Sequence, residues 1–216
     1  MLSLRSSFLI VNISLTKPAF KASSIDLIPS IKKLDLKESI PQYLVNETII
    51  DKISFSKNPE GVVAIVKTLP KIKPQNFNKV VYLDNIQDPG NMGTIIRTAL
   101  AFNYDGIILS EDCVSIYNPK VVAASKGAIF LIPILNGKLS DFKKDHLVIT
   151  STLNDKSISL DELKVNKPFI LILGNEAHGV REEIIKESDM FVKIPIENID
   201  SLNVAIAGAI LMHHLK

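Results

Sequence analysis

Apolar runs alternate with polar, helix-forming segments along the second half of the chain. Five apolar runs have the length and composition of strands: residues 80–84, 106–110, 146–152, 168–174 and 190–196. Segments with apolar positions at helical spacing separate or follow them: residues 94–102, 119–126, 181–187 and 201–215. Continuous apolar strands that alternate with helices are typical of a mostly parallel sheet with helices on both faces. The pattern therefore predicts an α/β fold.

The first part of the chain carries a different pattern. Residues 8–13 and 61–66 are predicted to form short strands, and residues 47–53 between them a helix. Residues 68–76 follow with two prolines and no apolar period, which is the composition of a linker. We expect a small first domain, a linker and a larger second domain, over residues 1–70, 71–79 and 80–216.

Composition narrows the class of protein. The chain has 216 residues, of which 46% are hydrophobic and 22% charged, as in ordinary soluble globular proteins. The formal net charge of +2 permits a nucleic-acid partner without requiring one. Cys113 is the only cysteine, which excludes an intramolecular disulfide and a cysteine-based zinc cluster. This cysteine usage fits the reducing cytoplasm.

The sequence predicts no membrane span, because no apolar run approaches about 18 residues. The apolar start of the chain, Phe8 to Val11, is broken by Asn12, and no small-residue cleavage pattern follows it. We interpret this start as a buried strand rather than as a signal peptide.

The first candidate site lies where the strand at 80–84 ends. The Asp-Pro-Gly run at 88–90 predicts a sharp turn, and a helix follows with Arg97 about one turn inside it. The carboxyl edge of the strands is the usual place for a ligand in an α/β sheet. Taken alone, Asn91 also fits a turn or helix-cap residue, and Arg97 a surface ion-pair partner.

Other ligand motifs are missing from the sequence. The glycine fingerprint G-x-G-x-x-G is absent, which argues against a nicotinamide oxidoreductase, and Gly93 is not followed by the Gly-Lys-Ser/Thr of a P-loop. His178 reads as a loop residue without a second histidine at ligand spacing, and His213 and His214 fall in a terminal helix. We therefore expect no metal site.

Two further polar segments follow apolar strands. The strand at 168–174 runs directly into Gly174-Asn175-Glu176, which places backbone N–H groups and a carboxylate at the carboxyl edge of the sheet. Ser201 and Asn203 precede an alanine-rich helix. Polar groups at a helix start fit a simple cap, with Ser201 as the capping residue, and they also fit contacts to a substrate oxygen or phosphate.

Together these segments resemble the motifs of the SpoU/TrmH branch of the SPOUT RNA methyltransferases. The first motif corresponds to Asn91, Gly93 and Arg97. The second and third correspond to Leu173-Gly174-Asn175-Glu176 with Gly179, and to Ile194-Pro195 with the run Ser201 to Val204. Residues 117–128 also resemble the connecting segment of the family, and the likeness covers about residues 45 to 214.

The resemblance implies transfer of a methyl group from S-adenosylmethionine to a ribose 2′-hydroxyl of structured RNA. It also implies a C-terminal trefoil knot, a homodimer, and a small RNA-binding domain similar to ribosomal protein L30e before the linker. Residues 1–70 would form that domain, although their first 45 residues depart from the family pattern. Ribosomal RNA is the favoured substrate, because tRNA enzymes of this branch more often carry terminal helical extensions than such a domain.

The resemblance also assigns residues to the site. Arg97 would stabilise the developing alkoxide, since a guanidinium with a pKa above about 12 is a poor base. The residues that would hold ribose and phosphate and orient Arg97 are Asn91, Glu176, Ser201 and Asn203. The residues that would bind the cofactor are Gly174, Ile194, Leu202, Leu173, Pro195 and Ser151.

Two alternative functions stay open. A tRNA ribose methyltransferase of the same branch would perform the same chemistry on another RNA. A non-catalytic RNA-binding protein with the same fold is disfavoured, because all five candidate catalytic residues are present.

Overall fold

Two sheets organise the parts of the chain that the structure, a computed structural model, describes: residues 7–13, 42–54, 62–66 and 77–216. The chain divides into two units, Met1–Pro70 and Lys71–Lys216. Most of the predicted linker lies outside the described residues. Lys79, predicted as its last residue, already belongs to a strand, so the linker was predicted too long at that end.

The described part of the first unit contains a three-stranded sheet and one helix. Strand β1 (Ser7–Ile13) pairs antiparallel with β2 (Gln42–Asn46) and parallel with β3 (Val62–Val66), and helix α1 (Glu47–Ile53) follows β2. The two predicted strands and the helix are present. Strand β2 was not predicted, since no glycine or proline separates it from α1. The likeness of this unit to L30e stays a prediction.

The second unit is built on seven strands. They are β4 (Lys79–Leu83), β5 (Gly106–Leu109), β6 (Ile134–Asn136), β7 (Leu147–Ser151), β8 (Ile158–Ser159), β9 (Phe169–Leu173) and β10 (Met190–Lys193). The helices are α2 (Pro89–Ala101), α3 (Pro119–Ser125), α4 (Glu182–Ile185) and α5 (Val204–His214). All pairs are parallel, in the order β6-β5-β4-β9-β7-β10-β8. The predicted α/β class with a mostly parallel sheet is confirmed.

Apolar side chains pack on both faces of this sheet. Along β4, Val81 and Leu83 belong to one buried cluster and Val80 and Tyr82 to another. The first cluster contains the buried residues of α2 and α5, and the second contains Ile184 of α4. The four positions of β4 after Lys79 and all five positions of β9 are therefore buried, which explains the continuous apolar runs of the sequence.

Short elements account for what the pattern missed. Strands β6 and β8 have three and two residues and lie at the two edges of the sheet. Strands of that length show no usable periodicity. The described helices are short too, and none of them is long and apolar enough to cross a membrane.

Helix α2 begins earlier than predicted. The Asp88 Oδ1 accepts the N–H of Asn91 at 2.7 Å and caps the helix, while Pro89 occupies the first turn, where its missing N–H costs nothing. The Asp-Pro-Gly run is therefore a helix start rather than a separate turn. Arg97 accordingly lies about two turns inside α2, not one.

Gly93 serves the packing of α2. A Cβ atom added there would lie 2.5 Å from the Cβ of Ala124 and 2.8 Å from the carbonyl oxygen of Val121. Both neighbours belong to α3. Only a glycine lets the two helices approach this closely, so this motif residue has a structural role.

Candidate active site

A cavity of about 520 Å³ opens at the carboxyl edge of β7, β9 and β10. Its volume lies in the range of small-molecule sites. The predicted site residues that line it are Ser151, Leu173, Gly174, Glu176, Ile194, Ser201, Leu202 and Asn203. Pro195, also predicted to bind the cofactor, is exposed and does not line the cavity.

The cavity wall is partly apolar and partly polar. Its apolar lining residues are Leu153, Leu173, Ala177, Ile194, Ile196, Leu202, Val204 and Ala207. Among the lining residues, only Lys193 carries a positive charge and only Glu176 a negative one. Such a wall suits a flat apolar ring with a few polar substituents better than it suits a polyphosphate.

One wall is the segment of residues 174–180, which follows β9 and is called here the β9 loop. It doubles back on itself, because Asn175 and Gly179 exchange two backbone hydrogen bonds of 2.9 Å. A Cβ atom added to Gly174 would overlap the carbonyl carbon of Gly179 and the amide nitrogen of Val180. Gly179 itself has a φ of 71°, which favours glycine.

Asn175 shapes this loop, although no role for its side chain was predicted from the sequence. Its Oδ1 accepts the N–H groups of Ala177 at 2.9 Å and of His178 at 3.1 Å. Its Nδ2 donates to the carbonyl oxygen of Asn85 at 2.7 Å, at the end of β4. The tendency of asparagine to bond to the backbone two residues ahead was the only sequence signal for this role.

Glu176 points from the β9 loop to the start of α2. Its Oε1 accepts the Nδ2 of Asn91 at 2.9 Å and the N–H of Asp88 at 3.3 Å. Its Oε2 accepts the N–H of Gln87 at 3.4 Å. Because the positive end of a helix dipole stabilises a carboxylate, the N-terminus of α2 is a favourable place for this charge.

Asn203 completes a hydrogen-bonded chain with these residues. Its Oδ1 caps α5 by accepting the N–H groups of Ala205 at 2.9 Å and Ile206 at 3.3 Å, so Asn203, and not Ser201 as expected, is the capping residue. Its Nδ2 donates to the Oδ1 of Asn91 at 2.9 Å. Asn203, Asn91 and Glu176, one from each motif, form what we call the amide relay.

Two predicted catalytic residues stand apart from the amide relay. Ser201 lines the cavity, but its hydroxyl has no hydrogen-bond partner within residues 77–216. Arg97 is exposed, does not line the cavity, and makes no hydrogen bond or ion pair with any residue of that range. Six helical positions separate it from Asn91, which corresponds to about 9 Å along the axis of α2.

A buried ion pair lies directly behind the β9 loop. The carboxylate of Asp84, at the end of β4, is fully buried. Its Oδ1 contacts the Nη2 and Nε of Arg181 at 2.6 and 2.7 Å, and its Oδ2 accepts the backbone N–H of Arg181 at 2.9 Å. The hydrogen bond to Asp84 raises the pKa of the Arg181 guanidinium above its ordinary value.

This ion pair was not predicted from the sequence. The one sequence feature that could have indicated it is Asp84, a charged residue at the end of an otherwise apolar strand. The neighbouring Tyr82 is also affected, since burial and then the charge of Asp84 raise the pKa of its hydroxyl to about 12.

Among the described residues, no group of three or more His, Cys, Asp or Glu side chains is arranged to hold a metal ion.

The sequence resembles a known family and curated proteins. The sequence model of the SpoU rRNA Methylase family matches residues 78–213. The 23S rRNA (guanosine(2553)-2'-O)-methyltransferase RlmP of Bacillus subtilis is 30% identical over 187 residues, which cover 84% of this chain and 75% of that protein. An uncharacterized tRNA/rRNA methyltransferase of Synechocystis sp. is 33% identical over 190 residues, which cover 84% of this chain and 69% of that protein.

The fold is also similar to that of solved structures. The AdoMet-bound rRNA methyltransferase from Sinorhizobium meliloti aligns with a TM-score of 0.69 and 33% identity, over 79% of this chain and 69% of that chain. The range matched by the family contains the whole amide relay and every residue of the cavity wall.

Proposed function

The chain belongs to the SpoU rRNA methylase family, and we propose that it methylates a ribose 2′-hydroxyl of ribosomal RNA with S-adenosylmethionine as methyl donor. The amide relay beside the cavity supports this most, because it brings polar side chains from three motifs to one edge of the sheet. The name of the Bacillus subtilis relative describes the same type of reaction on 23S rRNA.

The cavity fits S-adenosylmethionine, which the Sinorhizobium meliloti structure contains. Backbone groups of Gly174, Ile194 and Leu202 would hold the cofactor, and the apolar side chains of Leu173 and Leu202 would contact its adenine. The close approach at Gly174 supports this, since a side chain there would alter the β9 loop that forms the wall. When bound, the cofactor supplies an electrophilic methyl group.

The residues of the chain must orient the ribose and stabilise the charge that develops on it. A ribose hydroxyl is a weak nucleophile at neutral pH and needs help to lose its proton. Glu176 would accept a ribose hydroxyl, and the amides of Asn91 and Asn203 would donate to ribose or phosphate oxygens, in a geometry that the hydrogen bonds through Asn91 already fix. Ser201, whose hydroxyl lines the cavity, is free to donate to a substrate oxygen.

Arg97 would act through electrostatics rather than as a base. Its exposed guanidinium, without an ion-pair partner among residues 77–216, is accessible to the phosphate beside the target ribose. A fixed positive charge at that place stabilises a developing alkoxide. The separation of Arg97 from the cavity wall agrees with a contact to RNA rather than to the cofactor.

Methylation of tRNA is the second candidate. The name of the Synechocystis relative leaves both RNA classes open. A non-catalytic RNA-binding protein is a weaker candidate, since the amide relay and the cavity are both intact.

We place the reaction in a homodimer. Helix α5 is apolar on more than its buried side: the side chains of Ile206 and Ile210 are 53% and 39% exposed. An apolar helix face that the described residues of one chain leave uncovered supports close packing against a second copy.

The C-terminal knot is proposed on the family resemblance, and the strand order supports it, because β9 lies between β4 and β7 although it follows both in the chain.

Transfer of labelled methyl from S-adenosylmethionine to unmodified rRNA and tRNA, followed by digestion to nucleosides, tests the function. We expect a 2′-O-methylnucleoside from rRNA. The same product from tRNA alone would move the substrate to the second candidate. Label on the bases without label on the ribose would contradict methylation of the 2′-hydroxyl. Absence of transfer to either RNA would contradict the proposal that the protein is an RNA methyltransferase.

The first unit is proposed to bind RNA. Removal of residues 1–70 is therefore expected to weaken RNA binding by at least about tenfold and to leave cofactor binding within about twofold. Filter binding of rRNA fragments and calorimetric titration of the cofactor measure the two affinities. Equal RNA binding by the shortened and full chains would assign RNA recognition to the second unit.

A further inference from the structure

The β9 loop carries Glu176 and forms one wall of the cavity. Its position therefore determines both the place of the Glu176 carboxylate and the shape of the cavity. Residue 84 is bonded to both ends of this loop. The backbone N–H of Asp84 donates to the carbonyl oxygen of Leu173 at 2.9 Å, immediately before the loop. The carboxylate of Asp84 accepts the backbone N–H of Arg181 at 2.9 Å, immediately after the loop.

The side chain of Arg181 strengthens this closure. Its guanidinium covers the Asp84 carboxylate through contacts of 2.6 and 2.7 Å. A carboxylate that is fully buried needs such a partner, because an uncompensated charge in the protein interior is costly. The remaining Nη1 of Arg181 reaches Asp112 at 3.3 Å and Glu183 at 3.1 Å, which fixes the guanidinium from its exposed side.

We propose that Asp84 and Arg181 are positioning residues that hold the β9 loop in the geometry needed for cofactor binding and for the contact between Glu176 and Asn91. This inference rests on the proposed function. Neither residue lines the candidate cofactor cavity, so the pair acts on that cavity through the loop and not by contact with the cofactor. A shift of about 1 Å in such a segment is enough to lower a rate by about 100-fold.

The pair differs from the other ion pairs of the unit. Lys143 and Glu187 also form an ion pair, at 3.0 Å, but both of its side chains are partly exposed, at 38% and 30%, whereas the Asp84 side chain is fully buried. Loss of that surface pair is expected to change little. Loss of the Arg181 guanidinium leaves the buried Asp84 carboxylate without its charged partner and weakens the closure at the end of the β9 loop.

The experiment compares Asp84→Asn, Arg181→Met and Arg181→Lys with the full-length parent protein. Each variant is analysed for Tm without ligand, for the Kd of S-adenosylmethionine by calorimetry, and for amide hydrogen exchange of residues 174–181. Two controls are included. Glu187→Gln removes the surface pair, and Ile107→Val lowers Tm by trimming the buried core of β5, away from the β9 loop.

We expect Asp84→Asn and Arg181→Met to weaken cofactor binding by about tenfold or more and to speed exchange in residues 174–181. Arg181→Lys, which keeps one charged donor, is expected to recover part of the affinity lost in Arg181→Met. Ile107→Val is expected to lower Tm with parental cofactor affinity and loop exchange, and Glu187→Gln to leave all three quantities unchanged.

A merely structural pair would give a different result. If Asp84→Asn or Arg181→Met lowered Tm but kept the parental Kd and the parental exchange of residues 174–181, the positioning role would be wrong. If Asp84→Asn does not fold, the two variants of the half-buried Arg181 decide the question. A parent protein that binds no S-adenosylmethionine and transfers no methyl would instead refute the proposed function and, with it, this inference.

Discussion

Asn203 donates its Nδ2 hydrogen to the Oδ1 of Asn91 at 2.9 Å across 112 positions of the sequence. The same Asn203 side chain caps α5 through its Oδ1. The Asn203 amide therefore has two roles: its Oδ1 caps helix α5, and its Nδ2 orients Asn91, a residue of another motif. This division allows the two tasks to be separated by mutation.

Asn203→Asp is expected to keep the cap and break the amide relay. An aspartate still accepts the N–H groups of Ala205 and Ile206, but it has no hydrogen to donate to Asn91. We expect a stability within about 0.5 kcal/mol of the parent and methyl transfer lowered by about 10-fold or more. Asn203→Ala loses both tasks and should also cost about 1 kcal/mol of stability. Urea unfolding and initial rates measure the two effects; equal rates for Asn203→Asp and the parent would contradict the role of the relay.

Arg97→Ala is expected to abolish most of the methyl transfer without affecting the fold. The exposed side chain has no partner among residues 77–216, so its removal should change the unfolding free energy by less than about 0.5 kcal/mol. The electrostatic role proposed for Arg97 predicts that its loss lowers kcat by about 100-fold or more. Cofactor binding should persist. Lys186→Ala, which removes another exposed cation of the same unit, serves as the control and should retain the parental kcat.

Gly174→Ala is expected to weaken cofactor binding by about tenfold or more, because the new Cβ would overlap the backbone of Gly179 and Val180. Gly106→Ala is the matched control. Its Cβ would overlap the ring of Phe77 at the amino end of β5, away from the cavity. Both variants should lower Tm, but only the first should change the Kd measured by calorimetry. Parental affinity in Gly174→Ala would refute the assignment of this wall to the cofactor.

Alkaline pH should destabilise the fold through Tyr82. Its pKa is raised from 10.0 to about 12 in the folded chain, so the fold favours the neutral hydroxyl. The resulting stabilisation is fully present below pH 10 and is lost as the pH rises from 10 through about 12. It amounts to at most about 1.4 kcal/mol per pH unit across that window.

Tyr82→Phe removes the titrating hydroxyl, so its unfolding free energy should fall less steeply between pH 10 and 12 than that of the parent. Tyr117→Phe changes a tyrosine that is 47% exposed and should follow the parent curve. Denaturant titrations at intervals across this range provide the comparison. Identical slopes for Tyr82→Phe and the parent would show that Tyr82 does not cause the alkaline loss.

The main elements of the fold were predictable because their signals are local. A strand buried on both faces is apolar at nearly every position, so the runs that became β4, β5 and β9 stood out. The runs that became β7 and β10 are only partly buried, but they were long and apolar enough to be predicted as strands. The start of α2 was placed too late, because Asp-Pro-Gly fits a turn as well as a capped first helical turn. Strands β6 and β8 were missed, since two or three edge residues carry no period.

The family resemblance drawn from three motifs is confirmed by the match over residues 78–213. The resemblance named residues, but it could not give their geometry. Asn91, Glu176 and Asn203 are in contact, whereas Arg97 is not among them. Asp84 and Asn175 were overlooked, because their partners lie 97 and 90 positions away and no local pattern reports such pairings. Pro195, expected at the cofactor, lies outside the cavity wall.

The amide relay has a consequence for biosynthesis. Asn91 emerges from the ribosome first, Glu176 follows 85 positions later, and Asn203 comes last. At about 5–20 residues per second, the ribosome needs roughly 6–22 s to pass from Asn91 to Asn203. During that interval the start of α2 lacks the amide that orients it and the cavity lacks one wall. We therefore expect the nascent chain to be unable to methylate RNA until α5 has been made and has docked on α2.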